Sequence, residues 1–148
     1  MAFSWNPFGR RDRPARAEAA ARRLSGHAER LRRSADRIGP PYAAAFWDMA
    51  GTLERVRREV LSDPRDLALT RQFTSYHAGR IVEMVEGFVT LAAKSRPEQQ
   101  PRVDALGRAM LDYRALFARI ECACIDNDFD DLEAAIAALD VQLARLPG

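Results

Sequence analysis

The chain has 148 residues, of which 47% are apolar and 30% charged, with a formal net charge of +2. That composition suffices for one domain with a real core, and the net charge is too small to imply a nucleic-acid partner. No segment approaches the length of a membrane span, and the amino terminus lacks the apolar run of a signal peptide, so a cytoplasmic protein is expected.

Charge is unevenly placed. The stretch from Arg10 to Arg37 holds ten arginines against Asp12, Glu18, Glu29 and Asp36, whereas Glu121 to Asp140 holds seven acids and no base. Opposite signs at the two ends suit self-packing or a partner, and solvated helix faces produce the same asymmetry. Lys94 is the one lysine among twenty-two arginines, as coding bias alone would produce. Cys122 and Cys124, the two cysteines, fall two apart on a predicted helix and therefore about 200° apart around it. That spacing suits neither a disulfide nor a shared metal ion, and it fits a reducing compartment.

In chain order, residues 1–13 (MAFSWNPFGRRDR) read as a flexible aromatic and basic tail, because Phe3, Trp5 and Phe8 sit among Asn6-Pro7 and Gly9. Residues 14–148 read as a single helical-bundle domain. A first helix is predicted from Pro14 to Ile38, with a thin seam of Ala17, Ala21, Leu24, Ala28, Leu31, Ala35 and Ile38, stopped by Gly39-Pro40-Pro41. The second carries Tyr42, Phe46, Met49, Leu53, Val56 and Val60, with Trp47 just off the seam as a second-layer core residue. After Ser62-Asp63-Pro64 a long third helix is predicted from Pro64 to Lys94. A fourth, starting at Pro101, has the seam Val103, Leu106, Met110, Tyr113, Phe117, Ile120 and Cys124. A fifth comes after Asp126-Asn127-Asp128, with Leu132, Ile136, Leu139, Leu143 and Leu146 inward. No strand alternation occurs, so the fold class is all-α: an antiparallel bundle of about five helices with some coiled-coil-like packing.

The third helix holds the main candidate site. At 100° per residue from Leu69, one half of the wheel collects Leu69, Phe73, Tyr76, Ile81, Met84, Val85, Phe88 and Leu91. His77 and Arg80 lie inside or beside that arc. Arg80 is one turn beyond Tyr76 and His77, so the three heads can share a pocket near Arg71 and Phe73. Histidine there offers an acid or base near neutrality, and arginine a phosphate or carboxylate grip. The alternative is structural, with Tyr76 and His77 half-buried and hydrogen-bonded, and Arg80 snorkelling or paired with Glu83.

Two further motifs carry competing readings. The Asp126–Asp131 turn begins like a calcium loop, but Asp131 stands where glycine is needed and Ala137 where glutamate is needed. Capping of the fifth helix by Asp128, with Asp130 and Asp131 on its positive end, is the expected role. The first helix places Arg16, Arg22, Arg23, Arg30, Arg33 and Arg37 opposite its apolar seam. With Phe3, Trp5 and Phe8, the arginines Arg16, Arg23 and Arg30 are candidate contacts for a membrane surface or a partner. The mostly alanine seam argues instead for a solvated helix packed lightly on the bundle. No P-loop, dinucleotide fingerprint, nucleophile elbow or zinc motif occurs, so no metal or cofactor is expected.

From Pro64 onward the chain resembles the bacterial XpaC-like family, named for 5-bromo-4-chloroindolyl phosphate hydrolysis. The resemblance rests on Arg71-Gln72-Phe73-Thr74-Ser75-Tyr76-His77, continuing through Ile81, Met84, Val85, Phe88 and Leu91. It extends to Leu116-Phe117 through Ile125, the acidic turn 126–131 and the helix from Leu132 to Leu146. His77 stands where the family pattern has tyrosine. The resemblance implies association with toxic-anion (tellurite) resistance proteins of the TelA type. The expectation is therefore a helical interaction protein, cytoplasmic or peripheral to the inner membrane, that binds a protein partner or itself through helix faces. The alternative is a phosphomonoester hydrolase acting on indolyl phosphates through His77 and Arg80.

Overall fold

The computed structural model describes residues 7–63 and 67–145, at 7–13 and 67–69 the backbone alone. Among the described residues six α-helices succeed one another: α1 (Pro7–Ala35), α2 (Tyr42–Ser62), α3 (Leu67–Gln72), α4 (Ala78–Lys94), α5 (Gln100–Ile125) and α6 (Phe129–Arg145). A π-helical turn, Phe73–His77, joins α3 to α4, and a 3₁₀ turn, Pro97–Gln99, leads into α5. There is no strand among the described residues.

Side-chain pairings fix the directions. His27 against Gly79 and Arg30 against Glu86 set α1 and α4 parallel. Tyr42 at Gly107, Asp48 with Arg114 and Arg55 with Glu121 do the same for α2 and α5. Phe73 with Phe117 and Met84 with Tyr113 run α4 against α5. Arg119 with Asp131 and Asp112 with Gln142 fold α6 back along α5. The result is the antiparallel bundle expected from the seams.

Those seams are the core. Phe46, Met49, Leu53, Val56 and Val60 of α2 are buried, as are Val103, Met110, Tyr113, Phe117, Ile120 and Cys124 of α5 and Leu132, Ile136 and Leu139 of α6. Leu146 lies outside the described residues.

Helix α1 departs from expectation at both ends and in its packing. It starts at Pro7 rather than Pro14, so Pro14 lies inside it. Proline there forfeits one backbone hydrogen bond, while Arg10, Arg11 and Arg13 around it are good helix formers. It ends at Ala35, where tightened bonds from Arg37 to Ser34 and from Ile38 to Ala35 close the last turn. Nor is it lightly packed: Leu24, Ala28 and Leu31 are fully buried, and α1 with α2 forms the most extensive helix pair. An alanine seam brings two helix axes close instead of holding them apart.

Trp47 also departs from expectation. It is 48% exposed, lying beneath the Arg32 guanidinium at 5.8 Å rather than in a second core layer. Cys122 is exposed and Cys124 buried, and the two form no disulfide. No helix among the described residues is long and apolar enough to cross a membrane.

Candidate functional site

The predicted long third helix is interrupted where its polar residues cluster. In the π-helical turn the Ala78 N–H reaches back five residues to the Phe73 carbonyl. Thr74 Oγ1 donates to the Thr70 carbonyl and Ser75 Oγ to the Arg71 carbonyl. Hydroxyls that bond one turn back in this way bend a helix and satisfy its carbonyls. The Thr74-Ser75-Tyr76-His77 sequence thus supplies the donors that a π turn needs. Such turns advance less angle per residue than an α-helix, so a uniform wheel misplaces the residues beyond them.

That shift separates the expected cluster. Phe73 is buried edge-on to Phe117 at 5.2 Å, and Tyr76, expected on the apolar side, is 57% exposed. Arg71 and Arg80 are both exposed, and Arg80 lies 3.8 Å from Glu83. Tyr76 and His77 touch, ring edge to ring face at 5.1 Å. Among the described residues no hydrogen bond or ion pair joins Arg80 to His77.

His77 is 2% exposed and uses both ring nitrogens. Nδ1 lies 3.2 Å from the Gln72 carbonyl oxygen and Nε2 2.6 Å from Asp140 Oδ1 on α6. The carbonyl oxygen and the carboxylate oxygen both accept, so an acceptor faces each ring nitrogen. The ring therefore ties the π turn to α6. Sequence reading misses Asp140, although its neighbours three and four away (Ile136, Ala137, Leu143 and Ala144) include no base. An acid without a local partner on a helix has to look elsewhere, which was the available signal.

Tyr113 is a second buried polar group nearby. Burial pushes its phenol up to about 12, so the hydroxyl stays protonated, 3.7 Å from the Met84 sulfur. No buried side-chain nitrogen or oxygen among the described residues lacks a partner.

The arginine face of α1 is partly used within the fold. Arg30 forms a two-bond fork with Glu86 on α4, which raises the guanidinium pKa and holds the Glu86 carboxyl below its usual range. It is therefore a tie between helices and not a free contact. Arg23 is exposed, and Arg16 lies on the exposed side of the helix with a partner of its own. Phe3, Trp5 and the Phe8 side chain lie outside the described residues.

The acidic turn behaves as a cap. Helix α5 closes with Asn127 in the left-handed region (φ 52°), the Asn127 N–H on the Cys124 carbonyl and the Asp128 N–H on the Ala123 carbonyl. Asp128 Oδ1 then accepts the Asp131 N–H at 3.0 Å and starts α6. No group of metal-ligating side chains occurs among the described residues.

Between α3 and α6 lies a cleft of about 330 Å³, walled by Gln72, Leu132, Ile136 and Ala137, with Glu133 and Asp140 at its edge and Phe129 at its mouth. Past Phe129 it adjoins an open hollow lined by Asp126, Asn127, Asp128 and Asp130. Sequence reading does not anticipate this cleft, because it depends on how α6 lies against α3.

No protein-family model, no curated protein and no solved structure matches this chain.

Proposed function

We propose that the protein is a helical interaction module, similar to the XpaC-like family, that works in the cytoplasm by helix-face contacts with a protein partner of the TelA type. One observation carries this reading: both nitrogens of His77 are already bonded inside the fold, and Arg80 faces solvent beside Glu83. A general acid must be within reach of the leaving oxygen with a proton free to give, and a phosphate grip must share its pocket. Exposed Trp47, Tyr76, Ile125, Phe129 and Val141 instead offer apolar contact area on helix faces.

The test is hydrolysis of an indolyl phosphate by highly purified protein, with and without divalent metal, beside His77→Ala and Arg80→Ala. Absent activity, or activity indifferent to both changes, agrees with an interaction module. Activity that co-purifies and collapses in both folded variants overturns the reading in favour of a phosphomonoester hydrolase.

A further inference from the structure

We propose that the cleft between α3 and α6 receives the aromatic and arginine-bearing segment, residues 1–13, of a second copy of this chain. The inference rests on the reading of an interaction module and gives that module one partner.

The cleft has an apolar floor and an acidic rim. Leu132, Ile136 and Ala137 form the wall on α6, and Phe129, 50% exposed, stands at the mouth. An exposed phenylalanine beside a partly enclosed apolar surface leaves hydrocarbon in water that a partner side chain would cover. The cleft volume of about 330 Å³ is that of a small binding cleft and admits a large aromatic side chain.

The rim carries charge that the fold leaves uncompensated. Arg55 neutralises Glu121, Arg119 neutralises Asp131 and His77 meets Asp140. Asp126, Asp130 and Glu133 form no ion pair with any described residue. Arg71 on α3 and Arg145 at the end of α6 are the cations these two helices supply. A partner for this surface therefore brings positive charge interleaved with aromatic side chains.

Residues 1–13 have that chemistry. Phe3, Trp5 and Phe8 lie next to Arg10, Arg11 and Arg13, with Asp12 the one acid. Trp and Arg are the side chains most often found carrying the binding energy of a protein interface. A second copy is the source the fold favours. Helix α1 runs unbroken from Pro7 and packs on α2, α4 and the π turn, whereas α6 packs chiefly on α5 and α3. Residues 7–13 belong to that helix and could fold back over the cleft of their own chain only by unwinding it. Two such contacts related by a two-fold axis close a dimer and leave no end open for further growth.

Sedimentation velocity on the full chain, over rising concentration at low and high salt, reads the association. It is compared with the chain lacking residues 1–13, with the double variant Asp130→Asn/Glu133→Gln, and with Ala137→Phe, which fills the cleft without altering charge. Circular dichroism confirms that each variant is folded. The expected result is a salt-sensitive dimer that is lost on deletion and weakened at least about tenfold by either cleft variant, as for other close charge pairs and buried anchors. A labelled peptide of residues 1–13 is expected to bind the wild-type chain and to lose affinity for the cleft variants in parallel. A chain that stays monomeric throughout overturns the proposal, as does a dimer indifferent to both cleft variants. Peptide binding only to the truncated chain overturns it in favour of docking within one chain. A monomer that binds anionic vesicles through residues 1–13 overturns it in favour of a membrane surface. Each of these leaves the interaction-module reading to its own phosphatase test.

Discussion

His27 packs on α4 and His77 belongs to the π turn just before it, yet the two rings have opposite kinds of surroundings. His27, on α1, is half-buried against the α4 backbone, where a Cβ on Gly79 would come 3.2 Å from its ring. Burial lowers its pKa, and the neighbouring Arg30 and Arg23 lower it further. It makes no hydrogen bond to any described residue. His77 is more deeply buried, yet an acceptor faces each of its ring nitrogens. Depth alone therefore does not decide what a buried histidine does. The groups at its two nitrogens make one ring a space-filler between helices and the other a tie across them.

The largest effect should separate the two rings directly. His77→Ala leaves a cavity beside the π turn and removes the bonds to Gln72 and Asp140, so a loss of about 2–4 kcal/mol is expected. His27→Ala, at a half-exposed site with no hydrogen bond, is expected to cost less than about 1 kcal/mol. Urea unfolding midpoints measure both, and equal losses would erase the distinction.

Two glycines sharpen the same comparison on a smaller scale. At Gly107 an added Cβ would overlap the Tyr42 hydroxyl and stand 2.5 Å from its ring carbon Cζ, and Tyr42 is itself held edge-on to Phe88 at 5.0 Å. Gly107→Ala is accordingly expected to destabilise by about 1–3 kcal/mol. At Gly79 the obstacle is the half-exposed His27 ring, which has no bond to lose by yielding. There the helix-propensity gain of alanine, up to about 1 kcal/mol, offsets the crowding, and a change within about 0.5 kcal/mol is expected by the same melts.

The smallest effect is the pH response on the α1–α4 side. His27 and Glu86 both have folded-state pKa values below their ordinary ones, 6.5 and 4.5, so the unfolded chain takes up protons first. Their contributions are complete above those values and are lost as pH falls, His27's below about 6.5 and Glu86's below about 4.5. Unfolding midpoints taken from pH 7 downward should fall in that order, and His27→Gln should remove the earlier step. Stability that rises on acidification would reverse the sign assigned here.

The helices were legible in the sequence because their signal is local: a three-four seam on each and Gly39-Pro40-Pro41 or Asp126-Asn127-Asp128 between them. The Asp128 cap was legible for the same reason. The π turn was not, because a wheel drawn at 100° assumes the geometry that Thr74, Ser75 and His77 alter through their own side-chain bonds. Tyr76 consequently fell on the wrong side. Asp140, 63 residues from His77, was not legible either, since its partner is set by the packing of α6 and not by spacing. Arg30 read as part of a free basic face for want of the same long-range fact, its fork to Glu86.

Helix α6 shares its main packing with α5 and reaches the rest of the bundle through a short edge on α3 and the bond from Asp140 to His77. Its 17 residues bury one narrow stripe, Leu132, Ala135, Ile136 and Leu139, where α2 buries residues along its whole length. Amide protons of α6 should therefore exchange through a local opening well below the free energy of global unfolding, while those of α2 wait for the whole chain. Exchange of that kind would mark α6 as a cooperative unit of its own, with the turn from Asp126 to Asp128 as its boundary.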